Sequence, residues 1–111
     1  MATRPATIDY IIKQVAQSVP ASARKMFGEY ALYVEDKVVG LVCDDQLFMK
    51  PTEAGRSFIG NVVEAPAFAG AKPSFLIARD RLEDRAWLGE LMHLTARALP
   101  LAKVKTKRRE R

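Results

Sequence analysis

Between residues 30 and 49 the sequence contains three apolar runs separated only by short polar breaks, and no other feature limits the possible folds as strongly. The first run alternates along its length, as a strand with one buried face does. The breaks contain Glu35–Lys37 and Asp44–Asp45, and Asp favours tight turns because its carboxylate bonds to nearby backbone. The block therefore predicts an antiparallel meander with a hairpin turn at each break. The three runs are residues 30–34, 38–43 and 47–49.

Apolar residues at helical spacing flank this block on both sides. The first stripe runs from Ile8 to Val19, with Thr7 as a predicted N-cap and Pro20 as the end. The last stripe runs from Trp87 to Leu99 and follows Asp84, a good capping residue. Both stripes predict long helices that pack one face on a core.

The remaining segments complete the predicted order of elements. A strand is expected at Arg24–Phe27, with Gly28 allowing the bend into the meander. A short helix capped by Thr52 should follow the meander, then a loop from Glu64 to Pro73 and a strand at residues 74–78. Because the strands come in a block, the sequence predicts an α+β fold. The antiparallel sheet should have about four to five strands, in the order α-β-β-β(-β)-α-β-α, with one face against the N-terminal and C-terminal helices.

The net charge of +5 belongs to the end of the chain. Residues 1–102 hold equal numbers of basic and acidic side chains, so they predict one electrically neutral domain. Residues 103–111 predict a basic disordered tail, which could bind nucleic-acid phosphates or could simply be solvated. Its candidate nucleic-acid-binding residues are Lys103, Lys105, Lys107, Arg108, Arg109 and Arg111.

Residues that could carry chemistry are few. Cys43 and His93 are the single cysteine and histidine, and nothing in their spacing predicts a thiol–imidazole pair. The adjacent carboxylates of Asp44 and Asp45 fit a turn better than acid–base work. We find no metal-ligand or phosphate-loop spacing, so we expect no cofactor, no metal and no enzymatic activity. No apolar stretch approaches the ~20 residues of a membrane helix, and one cysteine suits the reducing cytoplasm.

Several segments share residue types and order with one known family. They are Lys25–Tyr33, Asp36–Lys37, Gly40–Lys50, Thr52–Arg56, Gly70–Phe75 and Trp87–Leu88. Through them the sequence, from about residue 8 to residue 100, resembles the TfoX N-terminal domain family. The resemblance implies a small α+β domain without catalytic residues. Members of that family include competence regulators that act with a transcription activator, so it also implies a regulatory or interaction role.

A protein partner is therefore expected, such as a transcription activator or an RNA polymerase component. DNA could be a second partner through the tail, and an exposed sheet edge or face could support a homodimer. No membrane partner is expected. The candidate partner-binding residues are Lys25, Gly28, Glu29, Tyr30, Tyr33, Lys50 and Lys72.

Overall fold

The computed structural model describes residues 3–26 and 28–99, which form three α-helices and one six-stranded antiparallel sheet. The α+β class is confirmed, with more strands than the four to five predicted. The helices are α1 (Pro5–Val15), α2 (Glu53–Ile59) and α3 (Arg85–Ala98). The strands are β1 (Ala21–Met26), β2 (Glu29–Val34), β3 (Lys37–Cys43), β4 (Gln46–Met49), β5 (Val63–Pro66) and β6 (Pro73–Ile77), in the spatial order β1-β2-β3-β4-β6-β5.

All three helices pack on the same face of the sheet. The apolar stripe of α1 buries Ile11 and Val15, and that of α3 buries Leu88 and Leu91. Phe58 of α2 packs against the same core and stacks on the Trp87 ring. Both predicted long helices therefore cover one sheet face. The sheet residues in this core are Leu32, Val34, Val39, Val42, Leu47, Met49, Phe75 and Ile77.

The hairpin turns lie where the polar breaks predict them. Val34 pairs with Lys37, and Cys43 pairs with Gln46, so each turn has two central residues. All four central residues, Glu35–Asp36 and Asp44–Asp45, have φ between 52° and 69°. Positive φ at both positions is the type I′ geometry, whose twist matches that of the flanking strands.

Two helix caps were predicted correctly and one was not. The Asp84 carboxylate accepts the Trp87 N–H, and the Thr52 hydroxyl accepts the Gly55 N–H. Thr7, in contrast, lies inside α1, which begins at Pro5 after the extended residue Arg4. Pro at the first helical position needs no N–H partner, and this favours the earlier start.

The predicted loop from Glu64 to Pro73 is partly wrong, because its first residues belong to a strand. Val63–Pro66 forms β5, which pairs with β6 at the edge of the sheet. The first strand also begins earlier than predicted, at Ala21, and Phe27 lies outside the described residues. Residues 103–111, the predicted basic tail, lie outside them too.

A close approach joins α3 to the segment that follows α1. Gly89 is buried in α3, and a Cβ at this position would lie 2.5 Å from Ser18 Oγ and 2.6 Å from Ser18 Cβ. Only glycine allows this backbone separation.

In residues 3–26 and 28–99, none of the helices has the length and apolar character needed to cross a bilayer.

Candidate interaction surface

The sheet face opposite the helices carries an apolar row that crosses all six strands. The pairing register aligns one residue of each strand in this row, and only the residue from β1 is charged. None of the described helices packs on this face, since their core contacts involve the other one. We call it the open face and define it by the row Arg24, Ala31, Leu41, Phe48, Leu76 and Val63, together with Met26 and Tyr33.

Accessible apolar surface on the open face increases toward its two edges. Ala31 on β2 and Phe48 on β4 are buried, although neither belongs to the helix-side core, and Leu41 between them is half-buried. Val63 on β5 is 58% exposed and Met26 on β1 is 40% exposed. Exposed large apolar side chains on a common face are typical of interaction surfaces.

Arg24 and Tyr33 add polar recognition groups to this apolar surface. The Arg24 guanidinium carbon lies 5.2 Å from the centre of the Tyr33 ring. This cation–π contact lies on the solvent side of the sheet. Tyrosine and arginine are enriched among the residues that contribute most to protein–protein binding.

The N-terminal segment is held against the β1–β2 and β3–β4 turns. Thr3 is buried, and its hydroxyl lies 2.6 Å from Glu29 Oε1 and 3.1 Å from the Val42 carbonyl oxygen. The same hydroxyl accepts the N–H of Asp45, and the Thr3 N–H donates to the Gly28 carbonyl oxygen. These bonds fix the end of the sheet at which β2 begins.

Glu29 is the acidic centre of this network. Its Oε1 also accepts the backbone N–H of Asp44 at 3.1 Å. Desolvation raises the pKa of the Glu29 carboxyl, but the hydrogen bonds from Thr3 and Asp44 outweigh it, and the net pKa is lowered. Glu29 is therefore ionised at neutral pH and is already bonded within the domain.

Asp45 supplies the negative charge that the first turn of α1 lacks. Its carboxylate accepts the Arg4 N–H at 3.0 Å, the Arg4 Nε at 3.1 Å and the Thr7 hydroxyl at 2.8 Å. The first turn contains no acidic residue. The bond from the Arg4 N–H, followed by that from Thr7, lowers the pKa of the Asp45 carboxyl. A carboxylate at a helix N-terminus is favourable because its negative charge is attracted by the positive end of the helix dipole.

Cys43 and His93 lie in different parts of the fold. Cys43 is buried at the end of β3, where burial, and after it the negative charge of Glu29, raises the pKa of its thiol. His93 is an exposed residue of α3 beside Lys37 and Arg97. Within residues 3–26 and 28–99, no group of three or more His, Cys, Asp or Glu side chains could hold a metal ion.

A concave region with a volume of about 370 Å³ lies between the start of α1 and the residues before α3. It is lined by Arg4, Tyr10, Arg79 and Glu83, among others. Arg4 is already bonded to Asp45, so the region offers a mixed and partly neutralised set of charges.

The predicted partner-binding residues are divided between the two sheet faces. Tyr33 belongs to the open face, whereas Tyr30 packs against the helix-side core. Lys25 pairs with Tyr30 across the strands, so it lies on the helix side of the sheet too. Gly28 lies in the β1–β2 turn, and Glu29 is held by Thr3. The exposed side chains of Lys50 and Lys72 follow β4 and precede β6. The structure therefore brings only part of this set to one surface.

The sequence matches a known protein family. The family model of the TfoX N-terminal domain matches residues 13–99 of the sequence. The chain belongs to this family. It is also 39% identical over 103 residues to an uncharacterized 12.7 kDa protein in the trpE 5′ region of Spirochaeta aurantia, a match that covers 93% of this chain and 89% of that protein.

The TfoX N-terminal domain match includes every strand, so the open face lies wholly inside the family's domain. Thr3 and Thr7, which hold the N-terminal segment in place, precede the matched residues. Sequence reasoning missed Leu41, Leu76 and Val63 as surface residues. Their signal was present in the alternation of the strands, but only the pairing register places them side by side.

Proposed function

We propose that this protein is a non-enzymatic regulatory domain that binds another protein and acts in transcription regulation, in the cytoplasm. Membership of the TfoX N-terminal domain family supports this role. The observation that carries it is the open face, an apolar sheet surface with no described helix over it. A binding surface explains why a small domain keeps apolar residues on that side.

The composition of the open face suits a protein partner. Leu41 and Leu76 are half-buried and Val63 is exposed, which gives accessible apolar area beside the cation–π pair of Arg24 and Tyr33. Protein interfaces combine an apolar centre with aromatic and arginine side chains in this way. The partner would lie across the strands and cover the row from β1 to β5.

Chemical crosslinking in cells that express the tagged protein, followed by mass spectrometry, tests this proposal. The variant Val63→Asp changes an exposed open-face residue, and Tyr10→Asp is the matched control because Tyr10 is 43% exposed on α1. We expect the wild type and Tyr10→Asp to capture the same transcription component to an equal extent and Val63→Asp to capture clearly less of it. Equal capture by all three would contradict the open face as the site, and capture of no transcription component would contradict the regulatory role.

Nucleic-acid binding through the tail is a second candidate function, favoured by the six basic side chains among residues 103–111. Full-length protein and a truncation after Ala102 should be compared on duplex DNA at several salt concentrations. If all six cations met phosphates, log affinity would fall against log salt with a slope of about −5. Equal binding by both proteins would exclude the tail as the DNA-binding segment.

A further inference from the structure

The strand β1 leaves one side of its backbone without a partner in the described part of the chain. It is the first strand in the order across the sheet and pairs only with β2. In an antiparallel strand, alternate residues direct their N–H and C=O groups away from the paired neighbour. About half of Ala21–Met26 therefore offers donors and acceptors to an incoming strand. The opposite edge, β5, is shorter and ends at Pro66, which has no N–H to donate.

Two cations lie side by side on this edge, one on each face of the sheet. Arg24 projects on the open face over Tyr33, and Lys25 projects on the opposite face. Both are exposed, and neither forms an ion pair within residues 3–26 and 28–99. Their cross-strand partners are Ala31 and Tyr30, which are uncharged. The β1 edge therefore combines unpaired backbone groups with two cations that form no ion pair in the described residues; Glu29, the diagonal neighbour of Arg24, is bonded to Thr3 instead.

The positive charge of Arg24 and Lys25 determines which kind of strand can pair with the β1 edge. If β1 paired with β1 of a second copy about a two-fold axis at Arg24, the two Arg24 side chains would lie opposite each other on one face, and the two Lys25 side chains would be diagonal neighbours on the other. Like charges at this separation oppose pairing, and basic residues on edge strands commonly prevent self-association in this way. Pairing with an acidic strand is favoured instead, because a carboxylate of the incoming strand then lies opposite each of the two cations.

We propose that β1 binds an extended acidic peptide segment of a partner protein by strand addition, with two consecutive acidic residues of the segment opposite Arg24 and Lys25. Consecutive residues are required because neighbouring side chains of a strand point to opposite faces, as these two cations do. Main-chain hydrogen bonds would supply affinity and the two charge pairs would supply specificity. The proposal rests on the proposed function and names the chemistry of the partner.

A fluorescently labelled peptide tests it with the full-length protein. The peptide has Glu-Glu at its centre, flanked by Thr and Val, and the matched peptide carries Gln-Gln instead. We expect the acidic peptide to bind about threefold more tightly than the Gln-Gln peptide, since the latter lacks both charge pairs. The double variant Arg24→Glu/Lys25→Glu should weaken binding of the acidic peptide by about tenfold, since two attractive pairs become repulsive. Lys13→Glu, an exposed reversal on α1, is the control and should bind as the wild type does.

N-methylation of single peptide amides separates strand addition from simple charge attraction. Methylation at alternate amides should abolish binding and methylation at the intervening amides should not, because only one set faces β1. Binding that is insensitive to methylation at every position would overturn the proposal, as would failure of the acidic peptide to bind.

Stronger binding of a single-stranded oligonucleotide than of the peptide, lost in the double variant Arg24→Glu/Lys25→Glu, would also overturn the proposal. If Arg24→Glu/Lys25→Glu captured the partner as well as the wild type in the cellular crosslinking, strand addition would fail while the proposed function stood.

Discussion

Gly89→Ala is a sharp test of the packing between α3 and the chain that follows α1. The Cβ of an alanine would lie 2.5 Å from Ser18 Oγ and 2.6 Å from Ser18 Cβ, well inside van der Waals contact. Rotation of the Ser18 hydroxyl removes only the first contact, because Cβ is fixed to the backbone. The substitution therefore requires that the helix or the segment at residue 18 move.

Two opposing terms set the expected magnitude. Alanine is favoured over glycine inside a helix by about 1 kcal/mol. Overpacking a closely packed site costs about 1–3 kcal/mol, and the short contacts place Gly89→Ala toward the upper end of that range. We therefore expect the free energy of unfolding to fall by about 1–2 kcal/mol, although helix propensity alone would predict a rise.

A double-mutant cycle isolates the steric cause. Urea unfolding followed by the fluorescence of Trp87, the single tryptophan, would be measured for the wild type, Gly89→Ala, Ser18→Gly and the double variant. Ser18→Gly removes both contacting atoms, so in that background Gly89→Ala should stabilise by about 1 kcal/mol. A stabilising effect of Gly89→Ala in the wild-type background would refute the reasoning.

Three further outcomes follow from the structure. The hydrogen bonds to Asp45 lower the pKa of its carboxyl, so they stabilise the fold at neutral pH and this stabilisation is lost as the pH falls through the folded-state pKa. In urea titrations at several acid pH values, the free energy of unfolding of Asp45→Asn should therefore depend less on pH than that of the wild type. An unchanged pH dependence would contradict this reasoning. Cys43 is buried with a raised pKa, so a thiol reagent should modify it only at the rate of unfolding, and rapid modification of the native protein would be the contrary result. A Cβ at Gly40 would lie 2.7 Å from the Phe48 carbonyl oxygen, so Gly40→Ala should lower the thermal midpoint by several degrees, and an unchanged midpoint would show that β3 and β4 adjust freely.

The parts of the fold that were predicted are those encoded over short distances. The turn at Asp44–Asp45 depends on residues that tolerate positive φ, and the cap at Asp84 depends on a side chain three residues from its donor. The apolar stripe of α3 likewise defines one helix face within the helix itself. Each of these signals is complete within a few residues, so sequence alone was sufficient.

The parts that were missed depend on residues far apart in the sequence. β5 has only Val63 as a strong strand former, and its pairing with β6 spans the intervening loop. Thr3 is buried because Glu29 and Val42, 26 and 39 residues away, accept its hydrogen bonds. The predicted partner-binding segment shows the same limit, because the continuous residues from Gly28 to Tyr33 alternate between two sheet faces. The sequence indicates such a surface only after the register of every strand is known.

The two proposed contacts are parts of one surface, and this gives a final test. A strand added to β1 would continue the sheet, so its alternate side chains would extend the open face beyond Arg24 and Met26. Val63 lies at the other end of the same row, five strand spacings from Arg24, or about 24 Å. A single partner that contacts both ends should lose binding energy additively when Val63→Asp is combined with Arg24→Glu/Lys25→Glu, since residues at this separation share no contacts. If either change alone abolished all capture and the other had no effect, the partner would occupy one end only, and the open face would not be a continuous binding surface.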